Sequence, residues 1–177
     1  MPAVLKVDRP AAGEFAPYYG RYIERITTDD VLPVLEAQIE DTHRLLAPLS
    51  DKRAMHRYAT GKWSVKEVVQ HLTDAERVFA YRALRFARND STDLPGFDEN
   101  LWAPASFADR RPIRDLADEY LVVRRATIAL YRSFEPDWLL RRGVASGNIM
   151  SVRALAWVAA GHENHHDAIL RERYDVA

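Results

Sequence analysis

The 177-residue sequence contains no cysteine. That removes disulfide scaffolds, cysteine zinc fingers, Fe–S clusters and any cysteine nucleophile, and it leaves histidine and carboxylate as the strong metal ligands. It leaves the redox compartment undecided. Glycine is scarce at 7, and the 9 prolines fall mostly between periodic segments, which is how a helical chain is punctuated. Lysine stands only at Lys6, Lys52, Lys62 and Lys66, so the basic residues are mostly arginine, a compositional bias rather than a binding signal. Charge of either sign is not in excess: 25 basic residues oppose 26 acidic ones for a net −1, so the chain as a whole attracts neither nucleic acid nor an anionic membrane. No apolar run approaches the roughly 18 residues of a membrane span. The opening MPAVLKVDRP meets Lys6, Asp8 and Arg9 at once and has no apolar stretch, so a secretory signal is not expected and a cytoplasmic protein is.

The remainder reads as an ordinary soluble chain, 47% hydrophobic and 29% charged, of a length that suits one domain over 1–177. Residues 1–28 read as an irregular aromatic arm with a helical turn near Tyr18–Ile26. A first helix is expected after Thr28, with Asp29 and Asp30 in its first turn, until Pro48 ends it. The second has the clearest start: Ser64 and Glu67 form a capping box, and the helix should reach about Arg88. Residues 89–112, with Gly96 and three prolines, read as a loop of a length that often signals function. A third helix is expected over 113–134, then a short turn through Trp138–Leu140, a turn over Gly143–Met150, and a fourth helix from Ser151 to about Tyr174. The fold class is all-α, a four-helix bundle.

The six histidines carry the chemistry. His162 and His166 are four apart on the fourth helix and share its apolar stripe with Leu155, Ala159 and Ile169. His71 lies between Val68 and Ala75 on the inward face of the second. Three inward imidazoles from two helices make the ligand set of a catalytic-type zinc site, with one position left open. A buried histidine is also commonly just a hydrogen-bonded core residue, but three of them each need partners for two ring nitrogens. His165 sits at the stripe's edge, and His43 and His56 read as surface residues. Asp74 lies one turn after His71, and Glu163 and Asp167 each follow a proposed ligand. Any of these carboxylates could orient an imidazole or accept a proton, with Asp74 and Glu163 the candidate catalytic bases. A solvated carboxylate is the bland alternative for each.

The run Gly61 to Asp74, through Trp63-Ser64 and His71-Leu72-Thr73-Asp74, resembles the W-S/T…H-L-x-D signature of the DinB/YfiT-like superfamily. Gly161-His162-Glu163-Asn164-His165-His166 is similar to its C-terminal H-x-x-x-H. Leu94 to Trp102 and the segments Arg9-Pro10 and Glu14 to Tyr19 resemble the loop and arm of the YfiT-type branch. The resemblance implies an up-up-down-down bundle, often dimeric, with a divalent metal, Zn or Ni, on His71, His162 and His166. It also implies thiol S-transferases that use bacillithiol or mycothiol, a maleylpyruvate isomerase, and proteins labelled metal-dependent hydrolases.

Three functions remain open. An open-site metal would deprotonate a low-molecular-weight thiol for attack on a small electrophile, which suits a chain without cysteine, and Arg82, Arg85 or Arg153 could hold its carboxylates. Hydrolysis would use the same metal with a carboxylate base. A non-catalytic, metal-binding stress-response protein is the third, against which stands the open ligand position. Arg124-Arg125 and Arg141-Arg142 lie among acidic residues and read as mixed-charge surface, so no nucleic-acid partner is expected.

Overall fold

The computed structural model describes residues 5–176, so the first four residues of the expected arm and the final residue lie outside it. Its helices are α1 Gly20–Ile23, α2 Leu32–Leu46, α3 Asp51–Ala54, α4 Val65–Ala87, α5 Glu99–Ala105, α6 Ile113–Arg132 and α7 Val152–Tyr174, with a hairpin of β1 Arg142–Ala145 and β2 Asn148–Ser151 before the last. The long helices α2, α4, α6 and α7 form the four-helix bundle, in which α4 and α2 each pack against α6 and α7.

Their ends follow local chemistry. Ser64 Oγ accepts from Glu67 N at 3.1 Å while Glu67 Oε2 accepts from Ser64 N at 2.9 Å, which closes the capping box of α4. Ser151 caps α7 by accepting from Ala154 N at 3.1 Å. Helix α2 starts at Leu32, later than the sequence suggests. Asp30 is the reason: its Oδ1 accepts from both Leu32 N and Val7 N, so it ties the arm to the helix start and stays outside the first turn. Pro33, which needs no N–H acceptor, takes that turn instead.

Three short elements were not expected. Ser50 caps α3, accepting from Arg53 N at 3.2 Å. Asp98 caps α5 inside the 89–112 loop, accepting from Asn100 N at 2.9 Å. The 143–150 turn is a hairpin around Ser146 and Gly147, whose φ angles of 53° and 73° give the twist that two-residue hairpins favour. It lies so close to α4 that a Cβ on Gly143 would sit 2.1 Å from the Phe86 ring.

Contact registers fix the helix directions. Lys66 Nζ reaches Arg111 O, Arg77 pairs with Glu119, and Glu76 with Arg124, so α4 and α6 run parallel. Glu36 meets Arg132 while Gln38 meets Arg124, which makes α2 antiparallel to α6. Tyr174 at the end of α7 donates to Trp63 O just before α4, while Phe79 further along α4 packs on His162 at the middle of α7, so that pair is antiparallel too. The order is therefore up-down-down-up, and the expected up-up-down-down order is corrected. The physical reason is the 88–112 connection: two consecutive parallel helices need a segment that returns the full length of the bundle, and this is the longest linker between bundle helices.

The core centres on α7, whose Leu155, Trp157 and Val158 are fully covered. Trp157 Nε1 donates to Val7 O at 3.0 Å and Arg9 stacks on its ring at 4.5 Å, which clamps the arm across the bundle. Arg124 corrects a second expectation. It is 1% exposed rather than a surface residue. Its guanidinium meets Glu76 at 2.9 Å and Glu163 at 2.8 Å, and it donates to Gln38 Oε1 and the Tyr120 hydroxyl. Two buried carboxylates thus share one buried cation. No described helix is long and apolar enough to cross a membrane.

Candidate metal centre

Because α4 and α7 run antiparallel, the second turn of α4 meets the middle turns of α7. That level carries all three inward histidines. His71 Nε2 lies 3.1 Å from His162 Nε2, and His166 Nε2 lies 3.2 Å from the same atom. The ring planes cross at 67–77°, so the nitrogens converge while the rings splay apart. Among the described residues this is the group of three whose ligand atoms all fall within 4.8 Å of one another.

Burial holds all three imidazoles in the neutral form. It pushes the His71 pKa down to about 4, and it pushes His162 and His166 well below the ordinary value, with the neighbouring imidazoles adding to it. A neutral imidazole has one N–H and one lone pair. His162 Nε2 therefore cannot satisfy both neighbours with good hydrogen bonds, whichever tautomer it adopts. A divalent cation that takes one lone pair from each ring resolves the conflict, so the residues present fit such an ion.

The surrounding rings fix the geometry. Trp63 packs 4.9 Å from His71, and Tyr22 and Phe79 lie edge-on to His162 at 5.3 and 5.9 Å. Tyr22 reaches the site because residue 161 is glycine: a Cβ there would stand 2.0 Å from the Tyr22 carbonyl oxygen. The close approach of α1 to α7 thus depends on the residue just before His162.

The imidazoles face a cleft of about 260 Å³. The arm supplies Tyr18, Tyr19 and Arg21, the 88–112 segment supplies Phe97 and Glu99, and the hairpin supplies Ser146. Arm and loop thus both wall the cleft. His165 lines it too, 5.5 Å from the Tyr22 ring, while His43 and His56 are exposed.

The candidate bases are placed elsewhere. Asp74 lines a neighbouring cavity, accepts from Gln70 Nε2 at 2.9 Å, and has its pKa raised by burial. Glu163 points to the opposite side of α7, where it pairs with Arg124 and accepts from Thr42. Burial pushes its carboxyl up despite that arginine. Asp167 leaves Oδ1 buried and unpartnered, and burial, then Glu163, push its pKa up to about 7. None of the three lines the cleft; Glu99 is the carboxylate that does. Of the three arginines considered, Arg82 lines it, Arg85 pairs with Asp90, and Arg153 pairs with Glu14. Sequence spacing had no means of finding Arg21, Glu99 or the tyrosines, because tertiary packing alone brings the arm and loop over the histidines.

A family model described as the DinB superfamily matches residues 35–170, a span that contains all three histidines. The chain belongs to the DinB superfamily. Its fold agrees with a DinB-like solved structure, YfiT from Bacillus subtilis, described as a probable metal-dependent hydrolase with an unusual four-helix bundle topology. The TM-score is 0.70 at 17% identity, over 96% of this chain and 95% of that one. A protein of Oceanobacillus iheyensis, provisionally named a metal-dependent hydrolase, is 33% identical over 85 residues, 45% of this chain and 48% of that relative. The match thus spans about half the length of that curated relative.

Proposed function

We propose that this DinB-superfamily protein is a metal-dependent enzyme in which His71, His162 and His166 hold a divalent cation, Zn²⁺ or Ni²⁺, and that it transfers a low-molecular-weight thiol to a small electrophile. The observation that carries the reading is the convergence of three neutral Nε2 atoms on an open cleft that neither Asp74 nor Glu163 reaches. A bound cation of this kind supplies Lewis acidity, which lowers the pKa of a coordinating thiol or water. Thiol chemistry then needs no protein base, and a cleft poor in carboxylates suits it. In such a transfer the S–C bond forms, the bond from carbon to the leaving group breaks with its electron pair, and the thiol proton passes to solvent.

The chain's own residues supply placement and dryness. Trp63, Tyr22 and Phe79 pack around the imidazoles and restrict water. Arg21 places a guanidinium group on the cleft wall for an anionic group of a cosubstrate. Hydrolysis is the second reading. It is favoured by the names of the two relatives, and Glu99 is the carboxylate in the cleft that could serve as its base. A cytoplasmic homodimer belongs to the same proposal, supported by the exposed apolar side chains Leu101, Phe107 and Val122.

The test is a zinc-loaded protein offered an aryl halide and an activated ester, each with and without mercaptosuccinate. Thiol transfer predicts a thioether product that needs both metal and thiol. Product formed at the same rate without thiol, with oxygen from water, supports hydrolysis instead.

A further inference from the structure

The arginines of α4 differ in how their charge is met. Arg77 pairs with Glu119 at 2.6 Å, and Arg85 pairs with Asp90. Arg82, one to two turns from each on the same helix, is 2% exposed, and no carboxylate among the described residues pairs with it. Its hydrogen-bond partners are neutral acceptors, Pro95 O and Ser146 Oγ, each at 3.0 Å from Nη2. A buried guanidinium held only by neutral groups is costly, and buried charges in proteins are normally paired.

Its position is as informative as its isolation. Arg82 and Phe97 line both the histidine cleft and an adjoining cavity of about 410 Å³. The second cavity is walled mainly by apolar side chains, among them Val78, Leu94 and Trp102, with Asp74 and Arg77 as its other charged residues. Asp74 is engaged by Gln70, and Arg77 by Glu119. A second guanidinium without a carboxylate partner among the described residues, Arg21, stands on the cleft wall, donating to the Tyr22 hydroxyl at 2.7 Å. Glu99, on the same cleft, lies outside ion-pair distance of either arginine.

We propose that Arg82 anchors the acidic group of the substrate, and that the substrate is an organic carboxylate whose apolar body occupies the adjoining cavity while its reacting end faces the three histidines. A carboxylate accepts from guanidinium N–H groups with a geometry that an amide or alcohol does not match. The apolar cavity on the far side of Arg82 places the body of such a molecule out of water. Arg21 is the positioning residue at the mouth. The inference rests on the proposed function for the chemistry that follows binding, but the binding itself needs no metal.

Calorimetric titration with phenylpropionate and with neutral phenylpropionamide tests it, on wild-type protein, Arg82→Gln, Arg82→Lys and His166→Ala. The acid should bind wild type about ten-fold or more tighter than the amide. Arg82→Gln should lose that preference while keeping amide affinity, Arg82→Lys should keep part of it, and His166→Ala should keep it in full. Equal binding of acid and amide by wild type, or an undiminished preference in Arg82→Gln, overturns the anchor. A preference that vanishes in His166→Ala also overturns it, because the metal site then holds the acid. Should Arg82→Gln fail to fold, the comparison of His166→Ala with and without Arg82→Lys decides. Protein that binds no metal yet keeps the acid preference refutes the metal reading and leaves the anchor standing.

Discussion

The Nε2 atoms of His71 and His162 face each other at 3.1 Å across the seam between α4 and α7, two helices that run in opposite directions. Ninety-one residues of sequence separate them. What sets this pair is helix registration, so changes that disturb where α4 starts or how closely α7 is approached should reach the site.

Ser64→Ala tests the first of these. The hydroxyl accepts from Glu67 N and also donates to Asp109, so its loss leaves the start of α4 without its cap. A stability loss of about 1–2 kcal/mol is expected in urea unfolding. An unchanged midpoint would show that Glu67 alone secures this end.

Gly161→Ala tests the second. The new Cβ would meet the Tyr22 carbonyl at 2.0 Å, and neither backbone can yield without moving. About 1–3 kcal/mol of destabilisation is expected, with weaker metal retention because Tyr22 and His162 are displaced together. Thermal unfolding and metal analysis of the same preparation check both; a fully stable variant would mean that α1 lifts away freely.

Arg124→Ala should be among the most damaging single changes away from the cleft. It strands Glu76 and Glu163 in the core, both 3% exposed or less. Removing one partner of such a buried network costs about 3–5 kcal/mol. Denaturant unfolding reads it, and the triple change with Glu76→Gln and Glu163→Gln should recover part of the loss.

Acid should weaken the arm. Burial alone would raise the Glu14 pKa, but hydrogen bonds from Arg153, Ser151 and the Ala11 backbone outweigh it and hold it down to about 2, against an ordinary 4.5. A lowered carboxylate stabilises the fold above the unfolded-state value and loses that contribution as pH falls through the folded one. Wild type should therefore exceed Glu14→Gln in stability above pH about 4.5, and the gap should close towards pH 2. A gap that does not vary with pH would assign the effect to packing.

The sequence was legible where chemistry is local. The capping box at Ser64, the breaker Pro48 and the i,i+4 spacing of His162 and His166 all act within one or two turns, and each stands where it was read; Ser151, read as the first residue of the fourth helix, is its cap. Asp30 was misplaced because its acceptor oxygen serves Val7, a partner outside its own helix. Asp98 was passed over as a cap because Pro104 made the segment look like loop. Arg124 looked like surface beside Arg125, since only the buried Glu76 and Glu163 distinguish them. Helix direction depended on whether the 88–112 segment recrosses the bundle, which no local signal encodes.

Elemental analysis of the purified protein beside His166→Ala, after mild dialysis, tests the central claim. The three-histidine centre predicts close to one divalent metal atom per chain in wild type and almost none in the variant, both being folded by circular dichroism. Wild type that retains no metal after reloading with Zn²⁺ or Ni²⁺, or a variant that retains as much as wild type, would contradict it.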